Sequence, residues 1–146
     1  MKLKVDYPET TLWQYEGQVF NSIPEGYAGF VYVIENLVNG RLYIGKKQFS
    51  NKLTRPPLKG KVRKRTRTVE SNWKEYFGSN EELCGDLQNN GYQCRRTILR
   101  LCQSKSEMSY YELYHQMVTH ALLNDRYYNA YVGARLAKSH LKSFGP

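Results

Sequence analysis

The chain of 146 residues is long enough for one domain with a hydrophobic core and too short for two comfortable ones. Its 22 lysines and arginines against 13 acidic residues give a formal charge of +9, which favours an anionic partner, with nucleic acid the leading candidate. No apolar run approaches the roughly 18 residues of a membrane span, and the first residues lack the apolar core of a signal peptide. These features predict a soluble protein of the cytoplasm.

Cysteine usage argues against a disulfide framework or a zinc ribbon. Cys84, Cys94 and Cys102 are an odd number without close pairing, and the three histidines add no spacing typical of a zinc site. We predict reduced thiols that lie mostly in the core.

The first 28 residues carry four acids, two lysines and scattered aromatic side chains, without a pattern of catalytic residues. Pro24-Glu25-Gly26 is typical of a turn that delivers the chain into a strand. We predict that residues 1–28 form an N-terminal extension that wraps the domain.

Two runs rich in β-branched and aromatic residues then flank Asn39-Gly40. This dipeptide readily adopts the positive φ angles of a tight hairpin turn, so the pattern predicts a β-hairpin. The first strand contains Phe30-Val31-Tyr32 and the second contains Tyr43-Ile44-Gly45. Tyrosines pack well across strands, so the hairpin alone is compatible with a purely structural role for both.

The insertion at residues 46–70 is strongly basic, with ten positive charges and no acid between residues 46 and 67. Like charges repel and Pro56-Pro57 breaks regular structure, so a mobile loop is expected until a nucleic-acid backbone orders it. The alternatives are a solvated basic loop and a localisation tract. All the charged residues of this stretch except Lys52 are predicted DNA contacts. They are Lys46, Lys47, Arg55, Lys59, Lys61, Arg63, Lys64, Arg65 and Arg67.

Two short helices and a strand are predicted next. Residues 70–77 have helical spacing, with Ser71 or Asn72 able to cap the first turn. A second helix is predicted from the capping-box spacing of Ser79 and Glu82 to a stop at Asn89-Asn90-Gly91. Residues 92–102 then have the apolar centre of a third strand.

The longest helical pattern begins at a second capping box, Ser104 to Glu107, and continues to Leu123. Its apolar residues predict a buried stripe with Glu112 near the middle, and the stripe comprises Met108, Tyr111, Leu113, Met117, Val118, Ala121 and Leu122. Residues 127–129 are predicted to be extended, and residues 132–142 to form a basic terminal helix.

The order strand, strand, helices, strand, helix, together with Phe30-Val31-Tyr32 and Tyr43-Ile44-Gly45, resembles the GIY-YIG nuclease family. Phe77-Gly78-Ser79 and the closing Tyr127-Tyr128-Asn129 are similar to phage-type members, so the resemblance covers residues 29–129. It implies an α+β fold with a small three-stranded antiparallel sheet flanked by helices. The extension 1–28 would precede this domain, and a basic tail at 130–146 would follow it.

The resemblance also implies a phage-type or homing DNA endonuclease, in the cytoplasm of a bacterial or phage-infected host cell. Glu112 takes the place of the family's metal-binding glutamate, with one Mg²⁺ or Mn²⁺ per site, and Asn129 the place of its late asparagine. Tyr32 and Tyr43 inherit the task of orienting or deprotonating water, with Tyr32 as the base. A free tyrosine has a pKa of about 10, so this role requires nearby cations such as Lys46 and Lys47. The substrate is expected to be double-stranded DNA.

One family feature is absent from its expected place. Asn72 stands where the family usually has a catalytic arginine on the first helix after the hairpin. Arg63, Arg65 or Arg67 takes that role, or it has passed to Lys47. His115, one turn after Glu112, is either a site residue or ordinary packing. The alternative function is a non-catalytic module that binds nucleic acid through the same fold and basic insertion.

Overall fold

Seven strands and two α-helices make up the fold in the computed structural model, which describes residues 7–63, 65–133 and 136–140. The architecture is α+β, as predicted. In chain order the elements are β1 Gln14–Tyr15, β2 Gln18–Val19, β3 Gly29–Asn36, β4 Leu42–Gln48, β5 Ser50–Arg55, β6 Arg65–Glu70, α1 Glu81–Asn89, β7 Cys94–Cys102 and α2 Lys105–Val118.

The main sheet has five strands in the order β2-β1-β7-β3-β4. Its part β7-β3-β4 is antiparallel, as predicted for the three-stranded sheet, but β1 adds parallel to β7 and makes the sheet mixed. The predicted sheet of three strands is therefore too small. The N-terminal segment joins the sheet because Trp13 is buried and its indole N–H donates to the Trp73 carbonyl at 2.8 Å.

The hairpin of β3 and β4 is confirmed, but its turn is not the tight two-residue type. The turn spans the residues between Asn36 and Arg41, whose backbone groups bond to each other. Only Gly40 in this turn has a positive φ, +73°. The Asn36 side chain also accepts a hydrogen bond from the Val38 N–H at 2.9 Å, which stabilises the longer turn.

The basic insertion is a two-stranded antiparallel ribbon rather than the predicted mobile loop. Strands β5 and β6 pair from Ser50 opposite Glu70 to Arg55 opposite Arg65. The base of the ribbon is tied to the domain, because the N–H of Ser71 donates to the carbonyl of buried Phe49 at 2.8 Å. Backbone pairing thus overcomes the charge repulsion that the sequence led us to expect.

The predicted helix at 70–77 is replaced by a single 3₁₀ turn, Trp73–Glu75, after which Tyr76 is extended. Helix α1 follows, and its N-cap is Asn80 rather than Ser79, with the Asn80 side chain accepting from the Leu83 N–H at 2.9 Å. It ends before Gly91, as the Asn-Asn-Gly stop predicted.

Helix α2 begins at the predicted cap, where the Ser104 hydroxyl accepts from the Glu107 N–H at 3.1 Å. It ends at Val118, five residues before the predicted end, because His120 takes a left-handed conformation with φ of +53°. A 3₁₀ turn, Ala121–Leu123, follows.

The predicted apolar stripe of α2 is only partly buried. Met108 and Ala121 are buried, whereas Met117, Val118 and Leu122 are exposed. A polar residue, Gln116, is buried on this helix instead. The last turns of α2 therefore leave the core.

The core lies on both faces of the main sheet. The larger cluster contains Trp13, Phe30, Tyr32, Ile34, Phe49, Trp73, Phe77, Leu83, Leu87, Cys94, Ile98 and Tyr128, and the smaller one contains Val31, Ile44, Cys102 and Met108. The three cysteines are free thiols, two of them buried, as predicted. Among the helices described, none is long and apolar enough to cross a membrane.

The predicted terminal helix at 132–142 falls partly outside the described residues, which exclude 134–135 and 141–146. Within the described part, Lys138–His140 forms a 3₁₀ turn. Of residues 127–129, which were predicted to be extended, Tyr127 forms a parallel bridge with Leu42, and the Tyr128 N–H donates to the Leu42 carbonyl at 2.7 Å.

Candidate active site at the sheet edge

The two motif tyrosines lie on the same face of the hairpin but differ in exposure. Tyr32 pairs with Gly45 and is 1% exposed, whereas Tyr43 pairs with Ile34 and is partly exposed. Their ring centroids are 6.3 Å apart. A Cβ atom at position 45 would overlap the Tyr32 hydroxyl, so glycine is required for the Tyr32 ring to lie across β4.

Both phenols are less acidic than a free tyrosine. Burial raises the pKa of Tyr32 well above its usual value, and the neighbouring tyrosines Tyr76 and Tyr43 raise it further. Burial also raises the pKa of Tyr43, against an opposing effect of its hydrogen bond to Ser79. The Tyr43 and Ser79 hydroxyl oxygens are 3.0 Å apart. Both tyrosines are therefore neutral at neutral pH in the free protein.

A cleft of about 660 Å³ opens beside β4, the edge strand of the main sheet. It brings together Tyr43 and Lys46 from the strand, Glu112 from α2 and Asn129 from the segment after it. Four of the predicted site residues thus share one cavity. Tyr32 is not among the residues that line it; it lies behind Tyr43 in the core.

Glu112 presents a half-buried carboxylate to this cleft. Burial raises its pKa, and the Lys46 ammonium partly counters that effect. None of the residues that the structure describes forms a hydrogen bond or a close ion pair with it. A carboxylate in this state gains from a cation that enters the cleft.

Asn129 is buried and holds the edge strand. Its side-chain oxygen accepts from the Ile44 N–H at 3.0 Å, and its amide nitrogen donates to the Ile44 carbonyl at 2.9 Å. Buried Gln116 donates to the same carbonyl at 3.3 Å. These bonds fix β4 relative to α2 and thereby position Tyr43 beside Glu112.

Two lysines follow Tyr43 along β4 and point to opposite faces. The Lys46 ammonium donates to the Ser109 hydroxyl at 2.7 Å. The Lys47 ammonium lies 4.2 Å from the centroid of the Tyr76 ring, and burial lowers its pKa. Both lysines line a second cavity of about 370 Å³ next to the cleft, together with Lys105. This cavity is a positively charged extension of the site.

The structure does not bring every candidate to the cleft. Arg65 and Arg67 lie on β6 of the ribbon, and Arg63 lies at its tip. None of these three arginines lines the cleft or the second cavity. His115 packs its ring against Tyr114 at 5.2 Å and also lies outside the cleft lining, as the packing alternative predicted.

Several site residues were not predicted. Ser109 and Gln116 stand three residues before and four residues after Glu112, so helical periodicity places them on its face of α2 and was the available signal. Ser79 was interpreted as a helix cap but bonds to Tyr43 instead. Tyr76 carries no local signal, because the 3₁₀ turn before it determines where its ring lies.

A hairpin with a tyrosine on each strand, a carboxylate helix against its edge and an asparagine that follows this helix define a GIY-YIG type of domain. The family model described as "Putative endonuclease segE, GIY-YIG domain" matches residues 13–132, and the chain belongs to this family. It therefore carries a GIY-YIG endonuclease domain. Comparisons with curated proteins and with solved structures found no match.

Proposed function

We propose that this protein is a metal-dependent endonuclease of phage or homing type that hydrolyses phosphodiester bonds in double-stranded DNA. The observation that carries the proposal is the cleft in which Tyr43, Lys46 and Glu112 meet. Hydrolysis needs an oriented water, an acceptor for its proton and positive charge beside the phosphate, and these residues supply each of them.

Glu112 is the residue that would hold the metal. Its carboxylate is half-buried and without a close partner among the described residues, which suits a hard divalent cation such as Mg²⁺ or Mn²⁺. Glu81 and Glu82 also line the cleft, but Glu82 is paired with Arg41, so Glu112 is the proposed donor. A bound Mg²⁺ supplies Lewis-acid stabilisation of the phosphate charge and positive charge that favours deprotonation nearby.

Tyr43 is the better placed of the two tyrosines to act on water. Tyr43 lines the cleft and its hydroxyl bonds to Ser79, another lining residue, whereas Tyr32 is buried behind it. The Tyr43 phenolate accepts a proton from the attacking water, and forming that phenolate requires positive charge in the substrate complex because burial raises its pKa. We therefore move the proposed base from Tyr32 to Tyr43, with Tyr32 as a positioning residue beneath it.

The lysines beside the cleft are proposed to bind the phosphate. Lys47 sits on the Tyr76 ring with its ammonium next to the second cavity, and Lys46 borders both cavities. As water attacks phosphorus and the bond to the leaving oxygen breaks, these ammonium groups stabilise the negative charge that develops. Lys47 thus takes the role for which the sequence also offered Arg65 and Arg67.

The decisive test uses Glu112→Gln, with Glu25→Gln as a matched control in an exposed turn of the N-terminal segment. Purified proteins are incubated with plasmid DNA and Mg²⁺ or Mn²⁺, with EDTA in a parallel series. We expect the wild type and the control to cut only with metal, and Glu112→Gln to bind DNA without cutting it. Cutting by Glu112→Gln at the wild-type rate would exclude this site. Binding without cutting by the wild type would favour the non-catalytic module.

A further inference from the structure

The basic ribbon has two chemically different faces. Residues that pair directly across an antiparallel ladder lie on the same face, and the faces alternate along each strand. One face therefore carries Arg55, Arg65 and Arg67, together with Asn51, Leu53 and Val69. We call it the arginine face. The opposite face is rich in hydroxyl groups and carries Ser50, Lys52, Thr54, Thr66, Thr68 and Glu70.

Like charges are concentrated on the arginine face without local compensation. Arg55 lies directly opposite Arg65, and Arg67 is two residues further along the same strand. Like charges in this arrangement destabilise a ribbon. The acid of the paired strands, Glu70, lies on the other face, where its carboxylate accepts from the Trp73 indole N–H at 3.0 Å. Among the described residues the arginine face therefore has no carboxylate of its own, and an anionic ligand is its natural partner.

Exposure and anchoring place these arginines where a large ligand reaches them. All three are exposed, while Lys52 and Thr68 of the other face line a cavity against Met108 at the start of α2. Arg65 is held at one edge, because its Nε donates to the Pro56 carbonyl at 3.3 Å. The base of the ribbon continues directly from β4, which carries Tyr43. The ribbon and the cleft are thus joined through strand β4.

The dimensions of the ribbon fit the major groove of B-form DNA. A major groove of about 12 Å width admits a two-stranded ribbon, whereas a minor groove of about 6 Å takes one only when the DNA is deformed. The deep, narrow major groove of A-form RNA excludes such an element as well. Six-residue strands extend about 20 Å, so the ribbon crosses several base pairs.

We propose that the arginine face of the ribbon reads guanines in the major groove, so that it determines which DNA sequence reaches the cleft. The inference rests on the proposed action on DNA. Arginine makes bidentate bonds to the O6 and N7 atoms of guanine, which lysine does not reproduce in geometry. Arg65 and Arg67 are separated by about 6.8 Å along β6, close to two base steps of about 3.4 Å. Guanines about two base pairs apart are the expected ligands.

The first arm of the test alters the DNA and leaves the protein intact. Duplexes bound by the full chain are selected from a random pool in EDTA, where no cutting is expected, and are resynthesised with 7-deazaguanine or inosine at each guanine. Loss of N7 removes a major-groove acceptor, whereas inosine lacks only the minor-groove amino group. We expect 7-deazaguanine to weaken binding about fivefold or more at guanines about two base pairs apart, and inosine to have little effect.

The second arm compares two variants that each remove one positive charge from the ribbon. Arg67→Gln changes the arginine face, and Lys52→Gln changes the opposite face. We expect Arg67→Gln to lose most of the guanine preference at one position, about 5- to 150-fold. Lys52→Gln should weaken all duplexes uniformly, with its base preference unchanged. Circular dichroism and thermal melting of both variants verify that the ribbon change has not unfolded the domain.

The outcomes separate this inference from the proposed function. No sequence preference in the selected pool, or equal effects of the two variants, would show that the ribbon contacts only phosphates and would overturn the inference. An inosine effect without a 7-deazaguanine effect would place the contact in the minor groove and overturn it too. Tighter binding to an RNA duplex in competition would assign the ribbon to a different ligand. Metal-dependent cutting of plasmid DNA by the wild type would support the proposed function in each of these cases.

Discussion

The cleft and the ribbon contain most of the residues that we propose act on DNA, and they hold them in opposite ways. In the cleft, Tyr43 bonds to Ser79, Asn129 bonds to both backbone groups of Ile44, and the carboxylate of Glu112 is half-buried. On the ribbon, the arginines are exposed and face each other across two strands. Hydrogen bonds and burial hold the groups of the cleft in place, whereas the ribbon presents exposed positive charge.

This difference suggests that catalysis and binding are separable in this protein. A reacting group must stay within a few tenths of an ångström of its productive position, which requires packing and hydrogen bonds. Contacts of the ribbon with DNA, whether with phosphates or with bases, determine how tightly and where the DNA binds, and they lie outside the cleft where the bond is cut. Changes in the cleft should therefore affect the cutting step, and changes on the ribbon should affect affinity.

The largest effect of a single hydroxyl is expected at Tyr43. Tyr43→Phe keeps the ring but removes the proposed proton acceptor, so the cutting rate at saturating DNA should fall about 10²–10⁴-fold. Tyr32→Phe is the matched variant, and its rate should fall less because Tyr32 does not line the cleft. Single-turnover cleavage measures both rates. A larger loss in Tyr32→Phe would return the base role to Tyr32.

A residue outside both regions provides the next test. Arg96 is 3% exposed, and its guanidinium donates to the backbone carbonyls of Thr11, Lys74 and Tyr76. Burial lowers its pKa to about 10, so it stays charged at neutral pH. Arg96→Met leaves these carbonyls without their donor and should lower the free energy of unfolding by about 3 kcal/mol.

Urea denaturation measures this loss, with Arg95→Met as the control on the neighbouring exposed position. If Arg96→Met were as stable as the wild type, the link from β7 to the turn that carries Tyr76 would not matter for folding. In that case, keeping catalysis and binding separate would not depend on the link that Arg96 makes.

A moderate effect is expected when the tip of the ribbon is neutralised. Lys59, Lys61 and Arg63 are exposed, and replacing all three by Gln should weaken DNA binding and flatten its salt dependence. Each lost phosphate contact reduces the slope of log affinity against log salt by about 0.9. Binding titrations between 50 and 200 mM salt, of the order used for such slopes, measure the change. An unchanged slope would place DNA elsewhere, and a lower cutting rate at saturation would contradict the separation.

The smallest effect concerns the stability of the metal-free protein. The raised pKa of Glu112 means that the folded state binds its proton more tightly than the unfolded state does. Ionised Glu112 therefore lowers the free energy of unfolding above the pKa that it has in the folded state. This effect vanishes below the pKa that it has in the unfolded state. In EDTA, Glu112→Gln should therefore match the wild-type Tm in acid and exceed it slightly at neutral pH. Added Mg²⁺ should raise the Tm of the wild type alone.

Equal Tm values at every pH would show that solvent compensates the carboxylate fully. A Mg²⁺ shift in both proteins would indicate that the ion binds somewhere else.

The sequence predicted the hairpin because its β-branched and aromatic side chains favour strands locally, and the same side chains pack in the core of the fold. The ribbon was not predicted, because the dense positive charge of residues 46–67 indicates a loop although part of this stretch alternates like a strand. In Arg65-Thr66-Arg67-Thr68-Val69 the period of two and the β-branched residues are typical of a strand. The strand is stabilised by its backbone pairing with β5, and a count of charges does not reveal that such a partner strand is present.

The residues of the cleft were predicted only in part, and through motifs rather than through the side-chain preferences of a single strand. Tyr43, Glu112 and Asn129 were found through a resemblance, and helical spacing extends that list to Ser109 and Gln116. The burial of Tyr32 and the position of Tyr76 depend on how a 3₁₀ turn packs on the sheet. Contacts of that kind arise between distant segments and leave no period in the sequence.

The segment that positions β4 through Asn129 also protects this edge of the sheet against aggregation. An edge strand offers unpaired backbone groups to any other strand that it meets, which promotes aggregation. Here the N–H and carbonyl of Leu42 bond to Arg126 and Tyr128, and those of Ile44 bond to Asn129. Lys46, the next residue with the same outward register, is of the type that guards exposed edges. Removal of the segment after α2 should therefore expose the backbone groups of β4 and promote aggregation through this edge.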